Sequence, residues 1–145
     1  MRFGTYLYFN GNCRQALEYY CTLFKLPLPE LQTYGEIPPT DEYQLPEDAK
    51  NLVLYTKLVV DDYTFFMSDN LPGYESGYGE NMSVVIDANT EEEMREMYHY
   101  LRKDGEVLME MRETFFSELY ARVRDQFGIQ WELNYTGFID QDVPF

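Results

Sequence analysis

The sequence predicts an α+β fold made of two βαβββ modules, whose curved, mostly antiparallel sheets carry the helices on their convex face. A strand, a capped helix and further strands follow one another twice, in modules of about residues 1–70 and 80–136. The chain of 145 residues has the length of one domain. It is 45% hydrophobic and 17% aromatic, which is enough apolar content to offset the entropy cost of ordering a core. We therefore expect residues 1–145 to form one domain from two similar halves.

The first module contains four predicted strands and one helix. Asn12, with Gln15 three residues later, is typical of a capping box at a helix start, and Pro27 predicts where the helical pattern ends. The strands are predicted at residues 3–9, 30–37, 52–60 and 63–69 from their aromatic and β-branched content. The acidic, proline-bearing residues 38–50 and the glycine-bearing residues 70–79 indicate loops.

The second module repeats this order. Thr90 is followed by three glutamates ending at Glu93, which predicts a capping box with acids at the positive end of a helix. Gly105 suits the left-handed residue that closes a helix. The strands of this module are predicted at residues 81–87, 106–111, 119–124 and 129–135.

The charge of the chain excludes several classes of partner. Lys and Arg number 11 against 26 Asp and Glu, so the net charge is −15. Such a field repels phosphate backbones and anionic lipids, so we expect neither a nucleic acid nor a membrane as partner. No apolar run approaches the roughly 20 residues of a membrane span, and the N-terminus begins a predicted strand rather than a signal peptide, which predicts a cytoplasmic protein. The charge either favours a cationic ligand or serves solubility alone.

The cysteines and the one histidine do not suggest a catalytic or zinc site. Cys13 and Cys21 lie eight residues apart on one predicted helix, about 12 Å along its axis, which is too far for a disulfide. Together with His99 they cannot complete a Cys/His zinc site. We expect two reduced core thiols, and for His99 a packing or surface role on the second helix rather than that of a general base.

Alternation along the strands predicts two faces of different character. The face predicted to pack under the helices carries Leu54, Leu58, Val60, Met82, Val84, Ile86, Trp131 and Leu133. The opposite face is predicted to carry Thr5, Leu7, Phe9, Val53, Tyr55, Lys57, Asn81, Ser83, Val85, Gln130, Glu132 and Asn134. Its mixture of apolar and polar groups is typical of a small-molecule pocket, although antiparallel sheets also leave one face half-solvated. On it, Lys57 either balances the charge of Glu132, or Glu132 binds a ligand.

Three segments resemble one known family. They are YLYFNGNCRQALEYYCTLF at residues 6–24, LYTKLVVDDYTFFMSDN at residues 54–70, and residues 113–134, which contain VRDQFGIQWELN. In this order they are similar to the PhnB-like branch of the glyoxalase/bleomycin-resistance/dioxygenase superfamily, the vicinal oxygen chelate fold. The resemblance implies paired βαβββ modules, a homodimer (a compact monomer being the alternative) and a ligand pocket in the curved sheets.

Metal enzymes of that superfamily hold a divalent ion with four side chains of His or Glu type. The resemblance places these positions at Thr5, Tyr55, Asn81 and Glu132, of which only Glu132 is a good metal ligand. We therefore expect no metal and no cofactor. Some relatives are called ubiquinone-pathway methyltransferases, but this sequence lacks a glycine-rich loop between a strand and a helix.

The resulting prediction is a metal-free protein that binds a small molecule, as bleomycin-resistance relatives do. The predicted ligand-binding residues are Thr5, Tyr55, Lys57, Asn81, Ser83 and Glu132. Glu132 is expected to be the main polar anchor, because it alone brings a negative charge, and the ligand is expected to be cationic, neutral or aromatic. The alternatives are a lyase, isomerase or dioxygenase with a modified metal centre built on Glu132, and a regulatory subunit that binds another protein.

Overall fold

The computed structural model describes residues 1–38 and 44–135, which form two compact units. Unit 1 comprises the described residues of Met1–Gly77, and unit 2 comprises those of Tyr78–Phe145. Each unit contains one four-stranded sheet and one α-helix in the order βαβββ. The predicted α+β class and the doubled βαβββ pattern are confirmed.

Unit 1 is built around a mixed sheet. Its elements are β1 (Gly4–Phe9), α1 (Cys13–Leu23), β2 (Leu31–Thr33), β3 (Val53–Val60) and β4 (Tyr63–Asp69). The strand order is β1-β4-β3-β2, in which β1 and β4 are parallel and the other pairs antiparallel. The predicted strand at residues 30–37 is divided into β2 and a 3₁₀ turn at Tyr34–Glu36. The predicted loop at residues 38–50 contains a second such turn at Glu47–Ala49, and its residues 39–43 lie outside the described residues.

Unit 2 has the same topology. Its elements are β5 (Val84–Ala88), α2 (Glu91–Lys103), β6 (Glu106–Arg112), β7 (Leu119–Arg124) and β8 (Gln130–Tyr135). The order is β5-β8-β7-β6, and β5 and β8 are again the parallel pair. Among the described residues, neither α-helix has the length and apolar content needed to cross a membrane.

In each unit the helix covers one face of the sheet. In unit 1 the ring of Phe24, at the end of α1, stacks on Phe65 with centroids 6.4 Å apart. The core of unit 1 includes Leu7, Phe9, Ala16, Leu17, Tyr20, Cys21, Leu58, Phe65 and Met67. The core of unit 2 includes Met94, Met97, Tyr98, Leu101, Ala121, Val123, Trp131 and Leu133. The face opposite the helix is called the open face below.

The predicted assignment of faces is wrong for β1. Leu7 and Phe9 are only 6% and 3% exposed, whereas Tyr6 and Tyr8 are exposed. Both alternating sets of this strand are apolar in part, so alternation alone could not tell which set faces the helix. The structure buries Leu7 and Phe9 and leaves the tyrosines, which have a polar end, at the surface.

Two further face predictions also fail, each at a strand end. Val53 is buried rather than on the open face, at a point where the register between β2 and β3 shifts and simple alternation is interrupted. Met82 is 70% exposed rather than in the core, because β5 begins at Val84 and not at residue 81. By contrast Leu58, Trp131 and Leu133 are buried as predicted.

The two helices begin differently. At α2 the hydroxyl of Thr90 accepts a hydrogen bond from the Glu93 N–H at 3.1 Å, and the Glu93 carboxylate accepts one from the Asn89 N–H at 2.8 Å. The predicted Thr90 cap of α2 is thus confirmed, whereas the second bond of the predicted capping box comes from Asn89 rather than from Thr90. At α1 the predicted cap is wrong, since Asn12 makes no side-chain cap hydrogen bond among the described residues.

Gly105 is not in the left-handed conformation that the sequence suggests. A Cβ atom at this position would clash with the carbonyl oxygens of Arg124 and Leu101. Glycine is therefore required by the close approach of two backbone segments rather than by its φ angle. The left-handed residue after α1 is Lys25, with φ 56°.

Candidate functional site

Aromatic side chains form a row across the open face of unit 1. The rings of Tyr6 and Tyr8 stack with centroids 4.6 Å apart, and Phe66 lies 6.0 Å from Tyr6. On the other side, Phe66 lies 6.3 Å from Tyr55. The row arises because the sheet register places Tyr6 of β1 on one side of Phe66 and Lys57 of β3 on the other. Tyr8 and Tyr55 lie two residues along these strands, on the same face. These four rings, called the aromatic row below, offer a continuous apolar surface with three phenol groups.

Lys57 adds a positive charge to this face. It is exposed and has no ion pair within residues 1–38 and 44–135. Of the predicted site residues in unit 1, Tyr55 and Lys57 therefore share the open face. Thr5 follows the alternation of the buried Leu7 and lies on the helix side, where its hydroxyl is 2.6 Å from the hydroxyl of Tyr63.

Glu132 occupies the open face of unit 2, as predicted, on the inner strand β8. One of its oxygens, Oε1, accepts a hydrogen bond from the hydroxyl of Tyr120, and the guanidinium Nε of Arg122 lies 3.8 Å from the same oxygen. The sheet register causes this grouping, since Arg122 is the direct partner of Glu132 across β7 and β8. The sequence suggests Lys57 as the charge that balances Glu132, but Lys57 belongs to unit 1. Within unit 2, the positively charged neighbour of Glu132 is Arg122.

The pKa of Tyr120 reflects this environment. Burial raises it above the ordinary value for tyrosine, and both the hydrogen bond to Glu132 and the charge of that carboxylate raise it further. Arg122 lowers it, but less. The phenol thus keeps its proton and acts as a donor to Glu132 throughout the physiological pH range.

Asn81 and Ser83 precede β5 and are not part of the sheet. Asn81 is exposed and Ser83 half-buried. The segment before β5 is held by Gln130, whose side-chain amide donates to the carbonyls of Gly79 and Met82 at 3.3 and 3.1 Å. The exposed His99 lies on α2, on the helix predicted for it.

Sequence reasoning missed several residues of the open faces, namely Tyr6, Tyr8, Phe66, Tyr120 and Arg122. Alternation within residues 119–124 contained the signal for two of them, because it places Tyr120 and Arg122 on one face. The pairing of β7 with β8, which brings them to Glu132, connects segments that the sequence pattern does not join.

The residues at the four predicted metal positions do not fit a metal ion. Around Glu132 the nearest groups are a phenol hydroxyl and a guanidinium, which are hydrogen-bond donors and add no ligand. The positive charge of Arg122 also opposes a cation at this carboxylate. In the described part of the chain, no group of three or more His, Cys, Asp and Glu side chains is placed to hold a metal.

Two aspartates in the resembling segments have structural roles. Asp69, at the end of the MSD sequence, is 2% exposed and accepts hydrogen bonds from the N–H groups of Gly11, Cys13 and Val53 at 2.9–3.0 Å. It thereby caps the N-terminus of α1 from β4.

Asp125, in the VRDQFGIQW sequence, holds the turn between β7 and β8. It accepts from the N–H groups of Phe127 and Ile129 and from the indole N–H of Trp131, at 2.8–3.0 Å. Asp69 and Asp125 thus stabilise the fold, although the segments that contain them also carry residues of the open faces.

Comparisons with known proteins agree with this architecture. The family model described as 3-demethylubiquinone-9 3-methyltransferase matches residues 1–134. Protein YjdN of Escherichia coli K12 is 27% identical over 143 residues, covering 92% of this chain and 95% of YjdN.

Solved structures with the same fold include two relatives that span nearly their full length. Protein PA1353 of Pseudomonas aeruginosa has a TM-score of 0.81 and 27% identity, covering 93% of this chain and 97% of its own. A PhnB protein from Bacillus cereus has a TM-score of 0.77 and 23% identity, covering 94% and 100%.

A glyoxalase-related enzyme from Fulvimarina pelagi shares the fold alone, with a TM-score of 0.54 and 14% identity over 100% of this chain and 99% of its own. The chain thus belongs to the family described as 3-demethylubiquinone-9 3-methyltransferase, and it shares the fold of PhnB and glyoxalase-related structures that the three sequence segments predict.

Proposed function

We propose that this protein binds a small organic molecule with an aromatic part on the open faces of its sheets, without a metal ion. The observation that carries the proposal is the aromatic row of unit 1. Tyr6, Tyr8 and Tyr55 are 41%, 56% and 38% exposed, so these rings form an exposed aromatic cluster instead of packing in the core. Contiguous exposed apolar surface of this kind often marks a binding site. A flat ligand stacked on them would bury apolar area at about 25 cal/mol per Å².

Polar anchoring groups support the same proposal. Lys57 supplies an ammonium beside the aromatic row, with no ion pair to any residue that the structure describes. In unit 2, Glu132 supplies a carboxylate that is fixed in place by the hydroxyl of Tyr120. Small-molecule sites commonly combine an apolar surface with a few such fixed polar groups. The predicted residues Thr5, Asn81 and Ser83 have no comparable position, and we do not include them in the proposed site.

A thermal-shift screen of amines, aromatic antibiotics and small keto acids, followed by calorimetric titration of its hits, tests the proposal. In the Tyr55→Ala variant we expect affinity to fall by about 1–2 kcal/mol, since a stacking ring is lost. The matched control is Tyr74→Ala, which removes a tyrosine that is 77% exposed and outside the sheet. Equal affinities for the hits in the two variants would contradict the proposal.

The role of Glu132 as an anchor has its own test. Glu132→Gln keeps the side-chain shape and an acceptor for Tyr120 while removing the negative charge. For a hit that carries an amine, we expect affinity to fall by about 1.5–3 kcal/mol, the usual value of a hydrogen bond to a charged group. An unchanged affinity for such a hit would show that Glu132 does not contact it.

The metal-free state is tested by elemental analysis of tag-free protein. We expect zinc, nickel, iron and manganese well below one ion per chain, because one carboxylate beside a guanidinium cannot compete with water for these ions. About one ion per chain that is lost in Glu132→Ala would instead support a lyase, isomerase or dioxygenase.

The methyltransferase activity named in the family description is not part of the proposal. A cofactor loop between a strand and a helix needs glycines and free backbone donors. Between β1 and α1 the connection is three residues long, and the N–H groups of Gly11 and Cys13 already donate to Asp69. The residues of this connection therefore do not fit such a cofactor.

A further inference from the structure

A row of four side chains crosses the open face of unit 2, one from each strand. The register pairs Val85 of β5 with Glu132 of β8, Glu132 with Arg122 of β7, and Arg122 with Met109 of β6. All four residues are half-buried, so the row lies on an accessible part of the face. It therefore presents an acid and a base side by side between two apolar side chains.

The two charged groups retain unused hydrogen-bonding capacity. The separation of 3.8 Å between Arg122 Nε and Glu132 Oε1 is too long for a hydrogen bond, and this Nε is buried without a hydrogen-bond partner in the described part of the chain. Oε1 of Glu132 accepts from Tyr120, while Oε2 has no hydrogen bond within the described residues. Because Nε itself is inaccessible, a ligand would pair with the terminal N–H groups of Arg122, whose side chain is 35% exposed and makes no hydrogen bond among the described residues.

The charge pattern selects the ligand. A simple cation at Glu132 would be repelled by the adjacent guanidinium, and a simple anion at Arg122 would be repelled by the adjacent carboxylate. The net charge of −15 disfavours a simple anion further. A molecule that carries both charges close together meets neither penalty.

We propose that Arg122 and Glu132 bind the carboxylate and the ammonium group of a zwitterion, an α-amino acid with an apolar or aromatic side chain. Arg122 donates to the carboxylate of the ligand through its planar fork of N–H groups, and Oε2 of Glu132 accepts from the ammonium. Val85 and Met109 contact the apolar part of the ligand. This inference rests on the proposed small-molecule function and names the class of its ligand.

Three probes that share a phenylethyl skeleton test the inference on the unmodified protein. They are L-phenylalanine, which carries both charges, phenethylamine, which carries only the ammonium, and 3-phenylpropanoate, which carries only the carboxylate. In calorimetric titrations at pH 7 we expect L-phenylalanine to bind at least tenfold more tightly than either of the others. The inference is overturned if either single-charge probe binds as tightly as L-phenylalanine, or if L-phenylalanine does not bind.

Charge-removing variants then assign the two groups. Arg122→Gln should weaken L-phenylalanine by about tenfold or more and leave phenethylamine no weaker, whereas Glu132→Gln should weaken phenethylamine as well. The matched control is Arg124→Gln, on the same face of the same strand. Its Nε is also buried without a partner in the described residues, but its terminal nitrogens already pair with Glu106 at 3.1 Å and Glu80 at 3.7 Å, so its loss should leave all three affinities unchanged. An equal loss in Arg122→Gln and Arg124→Gln would overturn the assignment.

The two proposals fail separately. Hits from the thermal-shift screen that depend on Tyr55, together with no binding of L-phenylalanine, would overturn the zwitterion site and retain the proposed function. Binding of L-phenylalanine that depends on Arg122, with affinities unaffected by Tyr55→Ala, would overturn the role of the aromatic row and retain the zwitterion site.

Discussion

At the scale of single residues, the carboxylate of Asp69 links three segments of unit 1. Its two oxygens accept from backbone N–H groups before α1, at the start of α1 and at the start of β3, at a site that is 2% exposed. In Asp69→Asn the amide nitrogen would face one of these N–H donors, and the negative charge at the helix N-terminus would be lost. We expect the free energy of unfolding to fall by about 2–4 kcal/mol in urea titrations. In Asp62→Asn, an exposed turn position, no comparable loss should occur.

Cys13 is a second residue whose behaviour follows from burial. Burial raises the pKa of its thiol well above the ordinary value of about 9, and the nearby charge of Asp69 raises it further. In the folded protein at pH 8 we expect no reaction of Cys13 with a disulfide reagent, whereas in urea both cysteines should react. Rapid modification of Cys13 in the native protein would contradict this expectation.

The same shift makes stability depend on pH. The folded thiol of Cys13 keeps its proton at a pH where the unfolded thiol has lost it, so the stabilising contribution is present below about pH 9 and falls as the pH rises above it. Cys13→Ser replaces the thiol by a group that does not ionise in this range. Its free energy of unfolding should therefore vary less between pH 8 and 10.

At the scale of elements, the two helices show how similar capping sequences act differently. Thr90 makes a cap hydrogen bond to Glu93, whereas Asn12 makes none among the described residues and α1 is capped by Asp69 instead. We expect Thr90→Ala to lower the free energy of unfolding by about 1 kcal/mol and Asn12→Ala to lower it by clearly less. Urea titration of the two variants side by side measures this difference, and equal losses would show that Asn12 contributes a cap in solution.

The strands show which parts of the fold the sequence could predict. Residues 63–69 and 119–124 were bounded correctly, because turn residues flank short runs of aromatic and β-branched side chains. Alternation could not predict which face of β1 is buried, because Leu7 and Tyr6, on opposite faces, are both compatible with a buried position. Alternation along residues 129–135 predicts Glu132 on the open face, but it does not identify Arg122 as its neighbour. The contact between Arg122 and Glu132 depends on the register between β7 and β8, and the local sequence of neither strand predicts that register.

At the scale of the whole molecule, the net charge of −15 governs association with other copies of the chain. The homodimer implied by the family resemblance would bring two such charges together. Their repulsion acts over about 30 Å at 0.01 M salt but only about 3 Å at 1 M. Added salt should therefore tighten the dimer, because it screens repulsion while burial of apolar surface is retained.

Sedimentation experiments from about 0.01 to 0.5 M sodium chloride test this prediction. We expect the dissociation constant of the dimer to fall as salt rises, because exposed charges of one sign dominate the electrostatic energy. The same series in sucrose solutions of matched density controls for changes in the medium that do not screen charge. A chain that stays monomeric at every salt concentration would contradict the dimer. A dimer that salt dissociates would show instead that ion pairs between the two copies outweigh their overall repulsion.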